Sequence, residues 1–185
     1  MRKIFINGFG RIGRTTLRAW AGGAWPETEI VGVNDIADPE LCAHLFTYDS
    51  IFGPFAGTVE LAGDTLWING HAIAISQSSD ISKFDLSDVD VVFECTGRAG
   101  DRAFAERGLQ AGARRILISG PSHSADLTMV LGANGALLTN QKVVSNASCT
   151  TNALAPLVKL IDETWGLKTG WMTTIHCYTG SQPSI

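Results

Sequence analysis

A glycine pattern close to the N-terminus constrains the fold of this chain more than any other feature. Gly8, Gly10 and Gly13 form a G-x-G-x-x-G motif directly after the apolar run 3–7 and directly before a helical pattern at 11–21. In such a turn the first glycine permits a tight bend, the second lets backbone approach a pyrophosphate, and the third lets helix and strand pack closely. The context therefore predicts a βαβ unit that holds a dinucleotide at a helix N-terminus.

An acidic residue follows at the spacing that a dinucleotide site requires. Asp35 ends the predicted strand 29–34, 22 residues after Gly13. A carboxylate at this point hydrogen-bonds the adenosine ribose hydroxyls, which favours NAD over NADP. The alternative is that the glycines only form a turn and Asp35 only caps a strand. The coincidence of strand, loop, helix and acid in this order disfavours that alternative.

Short apolar segments alternate with helical ones up to residue 147, which is typical of a doubly wound, mainly parallel α/β sheet of the Rossmann type. One stretch, 58–76, differs because it alternates around Asn69-Gly70 and predicts an antiparallel hairpin. The predicted strands are 3–7, 29–34, 90–94, 115–119, 127–131 and 142–145, and the predicted helices are 11–21 and about 101–112.

The pattern changes at residue 148. A helix is predicted from 149 to 165, followed by an extended segment at 170–178. These two elements need further partners to bury their apolar faces, so they are interpreted as the beginning of a second domain. We therefore predict a dinucleotide-binding domain at 1–147 and the first helix and strand of an incomplete second domain at 148–185.

Composition excludes several classes of protein. The 185 residues carry a formal net charge of -4, which argues against a nucleic-acid partner, and 45% of them are hydrophobic, which is enough for a core. No apolar run is long enough to span a membrane, and a cytoplasmic location is expected. The four cysteines are widely spaced and contain no C-x-x-C pair, so neither a disulfide framework nor a metal site is expected.

One cysteine stands in a setting suited to chemistry. Cys149 lies in the polar cluster 148–152 at the start of a predicted helix, where unpaired N–H groups and the helix dipole favour the thiolate. A helix cap by Ser148 or Thr150 beside an incidental thiol is equally compatible with the spacing. The remaining cysteines, in apolar surroundings, are interpreted as core residues: Cys42, Cys95 and Cys177.

A histidine follows in the predicted strand 171–178. Alternation places Met172, Thr174 and His176 on one face of that strand. A histidine can serve a cysteine nucleophile as general base and then as general acid, but a separation of 27 residues does not establish contact. A hydrogen-bonded core histidine is the alternative.

Six motifs together resemble the phosphorylating glyceraldehyde-3-phosphate dehydrogenase family. They are 7–14, 33–35, 48–50, 95–97, 145–152 and 175–176, and the resemblance spans nearly the whole chain. It implies that the full-length protein oxidises a small phosphorylated aldehyde with NAD and inorganic phosphate, as a homo-oligomer. It further implies that Cys149 forms a thioester, that His176 takes the proton, and that 148–185 are the truncated beginning of an α+β catalytic domain.

The resemblance also implies binding residues. Those implied for the cofactor are Gly8, Phe9, Gly10, Arg11, Ile12, Gly13, Asn34, Asp35, Thr96, Gly97 and Ser119. Ser148 and Thr150 are implied at the site of the attacking phosphate, and Thr179 at the site of the substrate phosphate.

Departures from the family pattern keep alternatives open. Ser181 stands where members usually carry Asp, so erythrose 4-phosphate remains a rival substrate. Residues 77–79 and 98–100 differ from the usual ones near the adenine, so altered adenine contacts are expected. The family is nearly twice as long, and its remaining domain supplies an arginine between the two phosphate sites. The chain is thus expected to be the N-terminal part of a dehydrogenase, with a non-catalytic NAD-binding module as the second hypothesis.

Overall fold

A computed structural model describes residues 1–177 as an α/β fold around one nine-stranded sheet. The strands are β1 (Arg2–Asn7), β2 (Thr28–Asp35), β3 (Tyr48–Asp49), β4 (Gly53–Pro54), β5 (Val59–Ala62), β6 (Thr65–Ile68), β7 (His71–Gln77), β8 (Val91–Glu94), β9 (Arg115–Ile118), β10 (Leu127–Thr128) and β11 (Val143–Ser145). The helices are α1 (Arg11–Ala21), α2 (Pro39–Thr47), α3 (Arg102–Ala105), α4 (Arg107–Gln110) and α5 (Cys149–Trp165).

The strand order confirms the predicted Rossmann-type sheet. It runs β10-β11-β9-β8-β1-β2-β7-β6-β5, with β3 and β4 forming a separate pair. All neighbours in the large sheet are parallel except β5 with β6 and β6 with β7. On one side of β1 the strands follow in the order β2, β7, β6 and β5, and on the other side in the order β8, β9, β11 and β10. The sheet therefore has a topological switch point at β1, where ligands bind in this class of fold.

Strand β1 contributes to the core on both faces of the sheet. Ile4 and Ile6 pack in one apolar cluster with Leu17 of α1, whereas Phe5 packs in a second cluster with Ile116 of β9. The alternation of side chains along a strand explains this division. It also explains why the run is continuously apolar, since a central parallel strand is covered on both faces.

The predicted hairpin is confirmed. Asn69 and Gly70 join β6 to β7 with φ angles of 50° and 80°, the left-handed conformation that Asn-Gly supplies at a tight two-residue turn. Strand β7 then continues alongside β2 in parallel, with Asn34 opposite Ser76. The hairpin thus extends the parallel sheet on the side of β2.

Two predicted elements in the first 147 residues are shorter than expected. The helix predicted at about 101–112 is divided at Glu106 into α3 and α4. Gly108 of α4 lies so close to the sheet that a Cβ would be 2.6 Å from Ile116 Cδ1. The strand predicted at 127–131 ends at Thr128, because the Asn134 amide closes a turn there. It accepts from Val130 N at 2.7 Å and donates to Thr128 O at 3.0 Å.

The last described part of the chain is α5 and the segment 166–177. The observed bounds of α5 match the predicted helix, and none of its residues is buried. The strand predicted at 171–178 is wrong for its described residues, because 171–177 pair with no strand and a strand requires a hydrogen-bonded neighbour. Cys177 is accordingly exposed, which corrects its interpretation as a core residue. Within residues 1–177, the helices lack the length and apolar character needed to cross a membrane.

Candidate active site and cofactor cleft

The three glycines of the motif occupy positions that a side chain would disturb in different ways. Gly8 has a φ of +93°, and a Cβ there would lie 2.6 Å from Thr96 N. At Gly13 a Cβ would lie 2.2 Å from Gly8 O, so only glycine allows α1 to approach the turn so closely. A Cβ at Gly10 would meet no protein atom within 4 Å. Gly10 instead borders an open cleft.

This cleft, of about 190 Å³, lies at the carboxyl ends of β1, β2 and β8. Helix α1 starts beside it, and its N-cap residue is Gly10, which has no side chain that could cap the first turn. The N–H groups of that turn are thus free of a side-chain cap, which suits a phosphate group. A bare glycine backbone, a helix N-terminus and a carboxylate at one edge fit the donor and acceptor set of a dinucleotide.

The residues expected at the cofactor divide into two groups. Those lining the cleft are Gly8, Gly10, Asn34, Asp35 and Thr96, and Gly97 connects Thr96 to Arg98, which also lines it. The remaining expected residues do not line the cleft: Phe9, Arg11, Ile12, Gly13 and Ser119.

Three residues of the second group have other contacts in the structure. The Phe9 ring is buried and stacks on Phe46 with ring centroids 6.0 Å apart, so only the Phe9 backbone faces the turn. Arg11 forms an ion pair with Asp49. Ser119 follows β9, and its N–H donates to Glu94 O at 3.0 Å. These contacts shape the surroundings of the cleft.

Asp35 holds two loops together at the cleft. Its Oδ2 accepts from Phe9 N at 2.6 Å, and its Oδ1 accepts from Ala37 N at 2.9 Å. A carboxylate has about four lone-pair sites, so capacity for ribose hydroxyls remains. The structural and ligand-binding interpretations of Asp35 are therefore compatible with each other.

Several residues of the cleft were not predicted from the sequence. Phe104 lines it, and the Arg98 guanidinium lies 5.4 Å from the centre of the Phe104 ring. Asn7 also lines it, and Asn7 Nδ2 donates to Glu94 Oε2 at 2.6 Å, although Glu94 does not line the cleft. Both side chains are buried. Asn7 and Glu94 each end a predicted strand, and that position at the carboxyl edge of the sheet was the one available signal.

Cys149 is the first residue of α5. Ser148 is the N-cap, and its Oγ accepts from Thr151 N at 3.1 Å. Because β11 runs parallel to β9, the start of α5 lies at the same carboxyl edge of the sheet as the glycine turn. The helix cap expected at Ser148 is thus present, together with a thiol at the first helical position.

The structure brings Cys149 and His176 into contact. Cys149 Sγ lies 3.1 Å from His176 Nε2, and His176 Nδ1 donates to Cys177 O at 2.6 Å. The carbonyl therefore assigns the Nδ1 hydrogen and turns Nε2 toward the sulfur. His176 is exposed, which does not match the alternative of a core histidine.

The two groups change each other's protonation. The contact with His176, and after it the N–H of Thr150, lowers the pKa of the Cys149 thiol below its ordinary value. The contact with Cys149, followed by that with the Cys177 carbonyl, raises the pKa of His176. Both directions favour a thiolate beside an imidazolium, which is the reactive form of a cysteine nucleophile.

A shallow pocket surrounds this pair. It is lined by Thr150, Ala153 and Leu154 of α5 and by three consecutive residues before His176, namely Met172, Thr173 and Thr174. The predicted alternation, which placed only Met172 and Thr174 on the side of His176, is therefore not seen. Thr150 thus lies at the thiol, and Ser148 precedes it at the helix cap. Thr179 and Ser181 lie outside the described residues.

Comparison with known proteins gives two family matches. Residues 2–102 match the family "Glyceraldehyde 3-phosphate dehydrogenase, NAD binding domain", and residues 148–185 match "Glyceraldehyde 3-phosphate dehydrogenase, C-terminal domain".

Curated relatives match along nearly the whole chain. The glyceraldehyde-3-phosphate dehydrogenase of Xanthobacter flavus is 46% identical over 99% of this chain and 56% of its own length. Glyceraldehyde-3-phosphate dehydrogenase 1 of Bacillus subtilis is 44% identical over 97% of the chain and 54% of its own length. The cytosolic glyceraldehyde-3-phosphate dehydrogenase of Leishmania mexicana is 42% identical over 100% of the chain and 56% of its own length. The chain thus spans about half the length of the curated relatives it matches.

Proposed function

Because the chain belongs to the glyceraldehyde 3-phosphate dehydrogenase family, we propose that the full-length protein catalyses the NAD-dependent, phosphorylating oxidation of glyceraldehyde 3-phosphate to an acyl phosphate. The observation that carries this proposal is the contact of Cys149 Sγ with His176 Nε2 at 3.1 Å, at the N-terminus of a helix. The match to the family's NAD binding domain and the fit of the cleft identify NAD as the cofactor.

The proposed reaction begins at the sulfur. The Cys149 thiolate adds to the aldehyde carbon, and the resulting oxyanion takes the proton of the His176 imidazolium, giving a hemithioacetal. Neutral His176 then accepts the hydroxyl proton as the adduct is oxidised to a thioester. That oxidation requires a two-electron acceptor, which is the chemistry that bound NAD supplies.

Release of the product restores the nucleophile. An oxygen of inorganic phosphate attacks the thioester carbonyl, and Cys149 leaves as a thiolate, so that the product is an acyl phosphate. We assign the attacking phosphate to the side of Ser148 and Thr150, and the substrate phosphate to Thr179. The lowered pKa of Cys149 serves both halves of the reaction, because a stable thiolate is also a good leaving group.

The cofactor is proposed to span the first cleft from Asp35 to Thr96. Asp35 would receive the ribose hydroxyls, and the Gly10 backbone and the first turn of α1 would receive the pyrophosphate. The set assigned to the cofactor is Gly8, Phe9, Gly10, Arg11, Ile12, Gly13, Asn34, Asp35, Thr96, Gly97 and Ser119. We further propose a homo-oligomer in the cytoplasm, in keeping with the relative whose name contains the word cytosolic.

NADH formation tests this function. The full-length protein, given glyceraldehyde 3-phosphate, NAD and phosphate, is expected to form NADH, and Cys149→Ser is expected to reduce turnover by at least about 10³-fold. Cys42→Ala, which removes a buried thiol in α2, is the matched control and is expected to keep turnover. Unchanged turnover in Cys149→Ser would exclude Cys149 as the nucleophile.

Two further outcomes would favour one of the alternatives that the sequence left open. A higher kcat/KM with erythrose 4-phosphate would replace the substrate but keep the chemistry. Binding of NAD without any turnover would instead support a non-catalytic nucleotide-binding module.

A further inference from the structure

A row of buried polar side chains crosses the sheet beneath the cofactor cleft. Asn34 of β2, Asn7 of β1 and Glu94 of β8 are register neighbours at the carboxyl ends of three adjacent strands. They are only 2%, 5% and 3% exposed, respectively. Ser78 and Thr96 adjoin the two ends of this row and line opposite parts of the cleft. We call these five residues the carboxyl-edge network.

The direction of the hydrogen bonds is set at the Ser78 end. Asn34 Oδ1 accepts from Ser78 N at 3.0 Å, and Asn34 Nδ2 donates to Ser78 O at 2.9 Å. Backbone N–H and C=O groups cannot exchange roles, so this pair determines the orientation of the Asn34 amide. The second hydrogen of Asn34 Nδ2 must then be donated to Asn7, whose Oδ1 lies 2.9 Å away.

The same direction continues to Glu94. Since Asn7 presents its oxygen to Asn34, it presents its Nδ2 to Glu94 Oε2, at 2.6 Å. The other carboxylate oxygen, Oε1, accepts from Thr96 N at 3.0 Å and from the Thr96 hydroxyl. Every neighbour of Glu94 in the network is a donor, and only a carboxylate offers acceptors on both of its atoms.

The far end of the network determines what Thr96 can offer a ligand. The hydroxyl hydrogen of Thr96 is committed to Glu94, so its oxygen retains acceptor capacity alone. Arg98 N uses part of that capacity at 3.2 Å. Thr96 is thereby oriented by Glu94, although Glu94 itself does not line the cleft.

We propose that Glu94 is a positioning residue for NAD: its carboxylate completes a one-directional hydrogen-bond network that holds the Ser78 and Thr96 sides of the cofactor cleft in register. The inference rests on the cofactor cleft of the proposed function. A preorganised cleft binds more tightly because less ordering is required when the ligand arrives.

The direction of the network permits a rescue experiment. Glu94→Gln sets an amide NH₂ against the Asn7 NH₂, and Asn7→Asp sets a second carboxylate against Glu94. In the double variant Asn7→Asp/Glu94→Gln, the new carboxylate at position 7 would accept from Asn34 and from the new amide at position 94. The oxygen of that amide would accept from Thr96. The double variant thus keeps every hydrogen bond and the total charge, with one link reversed.

Calorimetry with NAD on the full-length protein tests the proposal. Each single variant is expected to raise Kd by about tenfold or more, and the double variant to return it to within about threefold of the unchanged protein. Glu60→Gln makes the same substitution on an exposed residue of β5 and is expected to leave Kd unchanged. Melting temperatures are recorded in parallel.

The outcomes separate positioning from stability. A lower melting temperature with unchanged Kd in the single variants would overturn the proposal, as would a double variant that binds no better than the weaker single one. If a single variant fails to fold, the double variant decides the outcome. A double variant that folds and binds NAD tightly supports the network, and a double variant that does not fold overturns it. Absence of NAD binding by the unchanged protein would contradict the proposed function, and rescue of the melting temperature would still test the network.

Discussion

At the residue scale, the proposed reactive unit consists of a thiol, an imidazole and one backbone carbonyl. The Cys177 carbonyl orients the His176 ring by accepting from Nδ1 at 2.6 Å. His176 then lowers the pKa of Cys149, and Cys149 raises the pKa of His176. Both shifts favour the thiolate–imidazolium pair, which forms as the pH rises through the lowered pKa of the thiol and is lost as the pH rises through the raised pKa of the imidazole.

Alkylation rates measure this window directly. The thiolate fraction falls with falling pH, so a lowered pKa means that Cys149 retains its reactivity toward iodoacetamide to lower pH. His176→Gln is expected to move the midpoint of the Cys149 rate upward, toward the ordinary pKa of a free thiol. Mass spectrometry of the separate cysteines gives the profile, with Cys177 as a reference in the same sample. An unmoved midpoint would contradict the role of His176.

Asp35 accepts hydrogen bonds from two backbone N–H groups, and we propose that it also determines the choice of cofactor. Asp35→Ala is expected to raise the affinity for NADP relative to NAD by about tenfold, because the carboxylate that faces a 2′-phosphate is removed. The melting temperature should also fall, since the N–H groups of Phe9 and Ala37 lose their acceptor. Titration with both dinucleotides checks this, with exposed Asp64→Ala as control. An unchanged preference would count against the ribose contact.

At the scale of elements, the decisive contact is between α1 and the turn that follows β1. Gly13 allows this contact, since a Cβ would lie 2.2 Å from Gly8 O. Gly10, three residues earlier, has extended backbone and open space around its Cα. One glycine thus serves the packing of the fold, and the other leaves room for a ligand.

Alanine substitutions at these two glycines should separate stability from binding. Gly13→Ala is expected to reduce the free energy of unfolding by about 3 kcal/mol, because backbone atoms cannot yield to the added methyl group. Gly10→Ala is expected to cost less than about 1 kcal/mol, yet to weaken NAD binding by about tenfold. Denaturant unfolding and NAD titration give both quantities. The opposite ranking in either measurement would contradict this division.

The molecule as a whole distributes its buried surface unevenly. The sheet and α1 enclose two apolar clusters, whereas α5 contains no buried residue and contacts the rest through few groups, such as Lys159 Nζ on Ala133 O at 2.9 Å. Large apolar side chains are exposed both at the end of α5, at Trp165, and in the segment that follows it, at Trp171 and Ile175. Stability of residues 1–177 therefore resides in the sheet and its two clusters.

Two leucines provide a matched test of this distribution. Leu17 in α1 is fully buried, and Leu160 in α5 is 59% exposed. Leu17→Ala is expected to lower the free energy of unfolding of the 185-residue chain by about 3 kcal/mol. Leu160→Ala is expected to change it by less than about 0.5 kcal/mol. Equal losses of the free energy of unfolding, measured by urea unfolding of the two variants, would show that α5 is packed as tightly as α1.

Many features of this protein could be predicted from rules that involve only neighbouring residues along the chain. The bounds of α1 and α5, the Asn69-Gly70 hairpin and the helix cap at Ser148 follow from periodicity, backbone freedom and capping, which act over a few residues. The glycine turn and its acid likewise predicted the cleft and the cofactor. These features could be predicted from the sequence because each depends on neighbours along the chain.

Tertiary structure decided what depends on distant neighbours. It brings His176 to Cys149 across 27 residues, and Glu94 to Asn7 across 87. It also leaves 171–177 without a strand partner and stops β10 at the Asn134 turn. Hydrogen bonds between remote segments depend on which elements the fold places side by side, and no spacing along one chain encodes that choice locally. The order of residues therefore determined most of the elements and the cofactor class, whereas the folded chain determined which polar groups meet.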